Sequence, residues 1–162
     1  MLDFSKSLNF QEYLEKQHDK HGNIQDKTYD ETELSGNAKE EIKKLNKTIH
    51  AAIFTEGFCP DCIVTIPFLQ KLAEENSNLK LHFFPRTGFE AFLEEAVGCQ
   101  NIPTVITFTE ATEPKGAYIE MPEELREKMP IISNEERKVL VGEYRAGKYN
   151  DLIEKGLLNI IL

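Results

Sequence analysis

The chain has no tryptophan, and only three of its 162 residues are cysteine. Three cysteines are too few for the bridged framework of a small disulfide scaffold, so a hydrophobic core must carry the fold. Long apolar runs are missing too, and none approaches the roughly 20 residues needed to cross a bilayer. Residues Met1 to Lys6 contain an early acid and no apolar stretch. No secretory leader is therefore expected, and the cytosol is the expected compartment. Positive charge is in short supply: 19 Lys and Arg stand against 28 Asp and Glu, a formal net charge of -9. The basic residues are scattered among acids and form no stripe. Phosphates would be repelled by such a surface, so neither nucleic acid nor an anionic membrane is an expected partner.

What is present suits a globular protein, with 40% hydrophobic and 29% charged residues and no repeat or low-complexity tract. Phe10, Tyr13, Leu14 and Gln17 recur at helical spacing, Asn9 with Glu12 forms a capping box, and Gly22 is placed to close that helix. Asn23 to Thr32 reads as a polar loop. A second helix then sets Leu34, Ala38, Ile42 and Leu45 on one face. The centre changes character. Thr48 to Phe54 is a buried-strand candidate, and a helical pattern through Val64, Phe68, Leu69, Leu72 and Ala73 ends at Asn76-Ser77-Asn78. Leu79 to Phe84 is a further strand ending at Pro85, and Phe89 to Val97 a short helix capped by Gly98. Strand, helix, strand, helix in that order favours a parallel pair with a right-handed crossover. Thr104 to Phe108 is a β-branched strand, and a turn around Glu113 to Gly116 leads to Ala117 to Glu120 as its hairpin partner. Pro122 to Met129, a segment opened by the Ser133/Glu136 capping box, and Lys148 to Ile161 are the closing helices. The expected fold is α/β, one domain over 1–162, with a core at about 48–130 and helical additions at 1–47 and 131–162. Phe54, Phe68, Phe83, Phe84 and Phe108 are its expected core aromatics.

The chemistry concentrates at Cys59-Pro60-Asp61-Cys62. Thiol–disulfide exchange needs a thiolate that attacks and a second thiol that resolves the mixed disulfide. Cys59 sits where strand gives way to helix, and helix N-termini favour an anion. Cys62 lies one turn deeper and is shielded from partners. Cys59 is thus the expected nucleophile and Cys62 the resolving thiol. Pro60 is tolerated in a first helical turn. Asp61 suits the helix dipole but opposes a thiolate nearby, so it is expected to make the pair more reducing. A zinc ribbon would need a second ligand pair. Only Cys99 remains, and His18, His21, His50 and His82 show no ligand spacing with it, so neither metal nor other cofactor is expected. His18 and His21 read as a solvated helix face, and His50 and His82 as structural strand residues. Cys99 reads as a small hydrophobe, a regulatory disulfide being the alternative.

Together these residues resemble the thioredoxin superfamily. The likeness spans roughly residues 49–129. It rests on a strand running into Phe58-Cys59-Pro60-Asp61-Cys62, on Pro67 eight residues after Cys59, and on Ile102-Pro103-Thr104 ahead of the next strand. The resemblance implies a three-layer fold with a mixed central sheet and extra terminal helices. It also implies a cis-proline at Pro103 beside the cysteines, with Ile102 and Thr104 binding an extended substrate by strand addition. By the same likeness Phe58, Pro60, Asp61 and Pro103 support Cys59 and Cys62. Three departures stand out: Phe58 replaces the family's usual tryptophan, Pro-Asp replaces Gly-Pro, and the buried proton-transferring aspartate would fall near Ile53. Water, Glu56 or Asp61 are left as alternative proton carriers. The implied activity is a thiol–disulfide oxidoreductase. Its partners would be a disulfide-containing protein or small molecule and a reductant, either a reductase or a low-molecular-weight thiol. The competing reading is a binding or adaptor protein on the same fold with little or no redox turnover.

Overall fold

A computed structural model describes residues 2–21 and 24–162, except for the side chains of 18–21, so the readings of Gly22, His18 and His21 lie outside the described residues. In chain order the elements are α1 (Phe10–His21), α2 (Ile24–Glu31), α3 (Gly36–Ile42), β1 (Ile49–Thr55), α4 (Pro60–Glu75), β2 (Leu79–Pro85), α5 (Glu90–Val97), β3 (Thr104–Thr109), β4 (Pro114–Ile119), α6 (Glu123–Arg126), α7 (Asn134–Arg145) and α8 (Asn150–Ile161). The strands form one sheet in the order β2-β1-β3-β4. β1 runs parallel to β2 and antiparallel to β3, and β3 is antiparallel to β4. No helix among the described residues is long and apolar enough to cross a membrane.

The central strand shows why its sequence is a nearly unbroken apolar run. β1 has neighbours on both edges and helices on both faces, so six of its seven residues are buried. On one face Phe54 meets Phe84, and both meet Phe89 at the start of α5, with ring centroids 5.2–5.5 Å apart. On the other face Tyr13 of α1 stacks on Phe83 at 5.0 Å. α8 closes this second face with Ile153, Leu157, Leu158 and Ile161 buried, each contributing about 1.5–3 kcal/mol for leaving water. The Ile160 carbonyl at its end, which no further helical turn can satisfy, accepts from Thr107 Oγ1 at 2.7 Å and Lys115 Nζ at 3.3 Å. α8 crosses β4 closely: a Cβ at Gly116 would lie 3.1 Å from Ile160 Cβ.

Two local readings change. The segment expected as a polar loop, Asn23 to Thr32, contains α2. It has little apolar periodicity of its own, and what secures it is tertiary. Tyr29 tilts against Phe10 and donates to Glu74 Oε1 at 2.7 Å, while Gln25 is buried and donates to the Ile63 carbonyl at 3.1 Å. That carbonyl is available because Pro67, four residues on, has no N–H to offer it. The hairpin turn also falls earlier than Glu113 to Gly116. It is made by Thr109 to Glu113 with Thr112 at φ 63, and Pro114 already begins β4. Pro114 is accommodated because β4 is an edge strand. The N-terminal segment, unassigned in the sequence reading, pairs through Leu8 with Phe83 by two backbone hydrogen bonds of 2.9 Å.

Candidate active site

The turn that leaves β1 is closed by Cys59 N–H donating to the Glu56 carbonyl at 3.1 Å. Cys59 then takes extended angles (φ -82, ψ 113) as the N-cap of α4, with Pro60 in the first turn. Its sulfur does what a capping oxygen does elsewhere: Sγ accepts the Cys62 N–H at 3.3 Å. Cys59 is 7% exposed and Cys62 is 0% exposed, both as free thiols. The Cys62 thiol, hydrogen-bonded to Cys59, and the Cys62 N–H hold Cys59 below the ordinary cysteine range against the opposing effect of burial. Burial pushes Cys62 well above that range, and its hydrogen bond to Cys59 and the Cys59 charge push the same way.

The second wall comes from the loop before β3. The Ile102–Pro103 peptide is cis, and the Ile102 carbonyl lies 3.5 Å from Cys59 Sγ as an acceptor. The Pro103 carbonyl accepts from Glu120 N–H at 2.7 Å. Thr104 is fully buried, in register with Phe54 and Ile119, and its hydroxyl donates to the Asn101 carbonyl at 2.6 Å. Its side chain therefore lies inside the sheet. Phe58, in contrast, is 58% exposed beside Cys59.

Neither carboxylate near the thiols is idle. Glu56 Oε1 accepts from Thr87 N–H and Oγ1, both at 3.1 Å. Asp61 is held by Arg145 of α7 in a two-point ion pair, Nε to Oδ1 at 2.8 Å and Nη2 to Oδ2 at 3.1 Å. Ile53, where the family's buried acid would stand, is fully buried in β1. The polar groups beneath Cys62 are instead hydroxyls. Thr55, whose hydroxyl acts against the upward push on the Cys62 thiol, lies 3.2 Å from the Tyr13 hydroxyl. Arg145, Thr55 and Tyr13 were not found by sequence reasoning. Arg145 is 84 residues from Asp61, and Tyr13 is 42 from Thr55, separations across which no spacing rule operates. Cys99, half-buried just past Gly98 at the end of α5, is also a free thiol.

Residues 7–138 match the sequence profile of a family described as Thioredoxin. Among solved structures, a protein of unknown function from Pseudomonas aeruginosa superposes with a TM-score of 0.76 at 18% identity, covering 98% of this chain and 93% of that one. An HIV epitope scaffold superposes with the same TM-score, 0.76, at 16% identity, covering 98% and 94%. At such identities the likeness is one of fold. No curated protein matches the chain.

Proposed function

Since the chain belongs to the thioredoxin family, we propose that it is a thiol–disulfide oxidoreductase working by a dithiol mechanism. The observation that carries this reading is the asymmetry of the pair. Cys59 caps α4 with its sulfur against the Cys62 N–H, while Cys62 sits one turn deeper and fully buried. Cys59 is the thiolate that attacks one sulfur of a substrate disulfide, forming a mixed disulfide as the other substrate sulfur leaves as thiolate. That step removes the Cys59 charge, which had helped keep Cys62 protonated. Cys62 then loses its proton and attacks Cys59 Sγ. The second substrate sulfur leaves, and a Cys59–Cys62 disulfide remains. Two electrons have passed to the substrate, one of its thiolates takes up the proton that Cys62 releases and the other takes one from solvent, and a reductase or a low-molecular-weight thiol returns the electrons. With Asp61 and Glu56 both engaged, the Thr55 hydroxyl is the side-chain group placed to steady Cys62 as it ionises.

Pro103 and the Ile102 backbone form the shelf on which an extended substrate lies, and exposed Phe58 is the apolar contact beside it. The substrate is a disulfide-bearing protein or small molecule, met in the cytosol. The test is a redox titration of the full chain in dithiothreitol buffers, with alkylated thiols counted by mass. Cys59 and Cys62 are expected to disappear together over one two-electron transition near the cytosolic poise of roughly -220 to -320 mV. Absence of a Cys59–Cys62 disulfide would leave the adaptor as the better account.

A further inference from the structure

We propose that Arg145 is a positioning residue of the thiol pair: from the last turn of α7 its guanidinium grips the Asp61 carboxylate and cancels that charge at Cys59, so that the turn carries an acid without destabilising the Cys59 thiolate. This rests on the exchange reading above and adds what sets the reactivity of the pair.

Asp61 stands between the two cysteines in the first turn of α4 and is only 6% exposed. A buried carboxylate without a partner is costly, by several kcal/mol in order of magnitude. Here the partner is a planar fork making two parallel contacts, at 2.8 and 3.1 Å, a geometry that lysine cannot reproduce. The fork is itself held in place. Tyr144, the residue before it, is buried and its hydroxyl lies 2.8 Å from Thr65 Oγ1 on α4 and donates to the Glu120 carbonyl at 3.3 Å. The end of α7 is thereby docked on the same helix that presents the cysteines. Arg145 is correspondingly raised above its ordinary value, by the Asp61 hydrogen bond first, with the Cys59 charge among the further causes.

Among the described residues, these ionisable groups stand around Cys59. Cys62 and Asp61 come from α4, Tyr13 from α1, Glu56 from the turn after β1, and Arg145 from α7. Tyr13 is buried and raised above the ordinary tyrosine range, so it is neutral at working pH. Cys62 is protonated until the mixed disulfide forms. Glu56 is tied to Thr87. Asp61 is the carboxylate whose charge pushes the Cys59 thiol up, and Arg145 is the cation that faces both. The expectation that Asp61 makes the pair more reducing than a neutral residue would keeps its sign, since the Asp61 charge still pushes the Cys59 thiol up, and α7 supplies the cation that limits the effect.

The experiment compares the full chain with Arg145→Met, Arg145→Lys, Asp61→Asn and the Arg145→Met/Asp61→Asn double variant. In the reduced proteins the Cys59 pKa is read from ultraviolet thiolate absorbance and alkylation rate, and the potential from dithiothreitol buffers. Arg145→Met is expected to raise the thiol pKa and make the pair more reducing, and Asp61→Asn to do the reverse. Each shift should be about 0.5–1 pKa unit for a partly exposed pair. That is about a 3- to 10-fold change in the exchange equilibrium, or about 15–30 mV. The double variant should return close to the parent, and Arg145→Lys should lie between the parent and Arg145→Met. Shifts of the same sign, or none, overturn the inference. A merely structural tie would lower the melting temperature without opposing signs at the thiol. If Arg145→Met does not fold, Asp61→Asn and Arg145→Lys carry the sign test. A chain that closes no disulfide yet shows opposed pKa shifts would sink the exchange reading and uphold the pair.

Discussion

His50 Nδ1 and His82 Nε2 lie 2.9 Å apart on one face of the parallel pair β1–β2. His82 Nδ1 is 3.0 Å from Ser7 Oγ, and Ser7 Oγ donates to the Phe4 carbonyl at 2.7 Å. Since the Ser7 proton is committed to that carbonyl, His82 Nδ1–H must donate to Ser7, and His82 Nε2 must accept from His50 Nδ1–H. The His82 ring is then neutral. Phe4 lies across them, with ring centroids 5.2 Å from His50 and 4.4 Å from His82. The N-terminal segment is thus fastened to the sheet through two histidines.

A pH dependence of stability follows. Burial, with His50 adding to it, pushes His82 from 6.5 down to about 4. The unfolded chain therefore takes up this proton first as pH falls. The contribution of His82 is full above about pH 6.5, declines as pH falls towards about 4, and is constant below that. Urea-unfolding midpoints of the parent and of His82→Phe, measured across this range, should converge or cross as the parent alone loses stability. Parallel pH profiles would show that the pair is not coupled to folding.

Thr55 offers a kinetic prediction at the thiols. Thr55→Val keeps the shape but removes the hydroxyl that contacts Cys62 and the Tyr13 hydroxyl. One neutral hydrogen bond is worth about 1 kcal/mol, so breakdown of the mixed disulfide by Cys62 should slow about fivefold. The initial attack by Cys59 on a small aromatic disulfide is the comparison step. Equal slowing of both steps, or of neither, would count against Thr55 acting on Cys62.

Glu154 tests how α8 is joined to the rest. It is a buried carboxylate accepting from Ser35 N–H and Oγ–H, both at 2.7 Å, while Ser35 Oγ caps α3 by accepting from Ala38 N–H at 3.1 Å. Glu154→Ala removes the acceptor of two charge-assisted hydrogen bonds from the exposed Ser35 and should lower unfolding stability by about 1–2 kcal/mol. Glu154→Gln retains one acceptor and should cost less. A change in the alanine variant within about 0.5 kcal/mol, the range of an ordinary surface site, would remove Glu154 from the account.

Where the sequence could be read correctly, the signal lay within a few residues. Asn9 and Glu12 exchange the two hydrogen bonds of a capping box at 2.9 and 2.8 Å, as do Ser133 and Glu136 at 3.1 and 2.7 Å. Gly98 ends α5 at φ 76, the left-handed angle that favours glycine. The spacing of Cys59 and Cys62 put one sulfur at a helix cap and the other a turn deeper, because α-helical geometry leaves little choice once Pro60 begins the helix. The likeness to the thioredoxin superfamily rested on these same local features.

What local pattern does not contain is which distant groups meet. α2 was passed over because its reasons for being helical lie elsewhere, in Phe10, Glu74 and the carbonyl that Pro67 leaves open. The hairpin turn was misplaced because a proline and a glycine look like a turn, whereas at the sheet edge Pro114 is harmless and Gly116 makes room for Ile160. By itself the sequence determined the central strands, the capped helix starts and the place of the cysteine pair, since backbone angles and side-chain periodicity are local properties. Only the tertiary structure decided that Asp61 is paired with Arg145 and that hydroxyls stand beneath Cys62. Charge compensation depends on distance in space, and packing alone sets which side chains are brought within that distance.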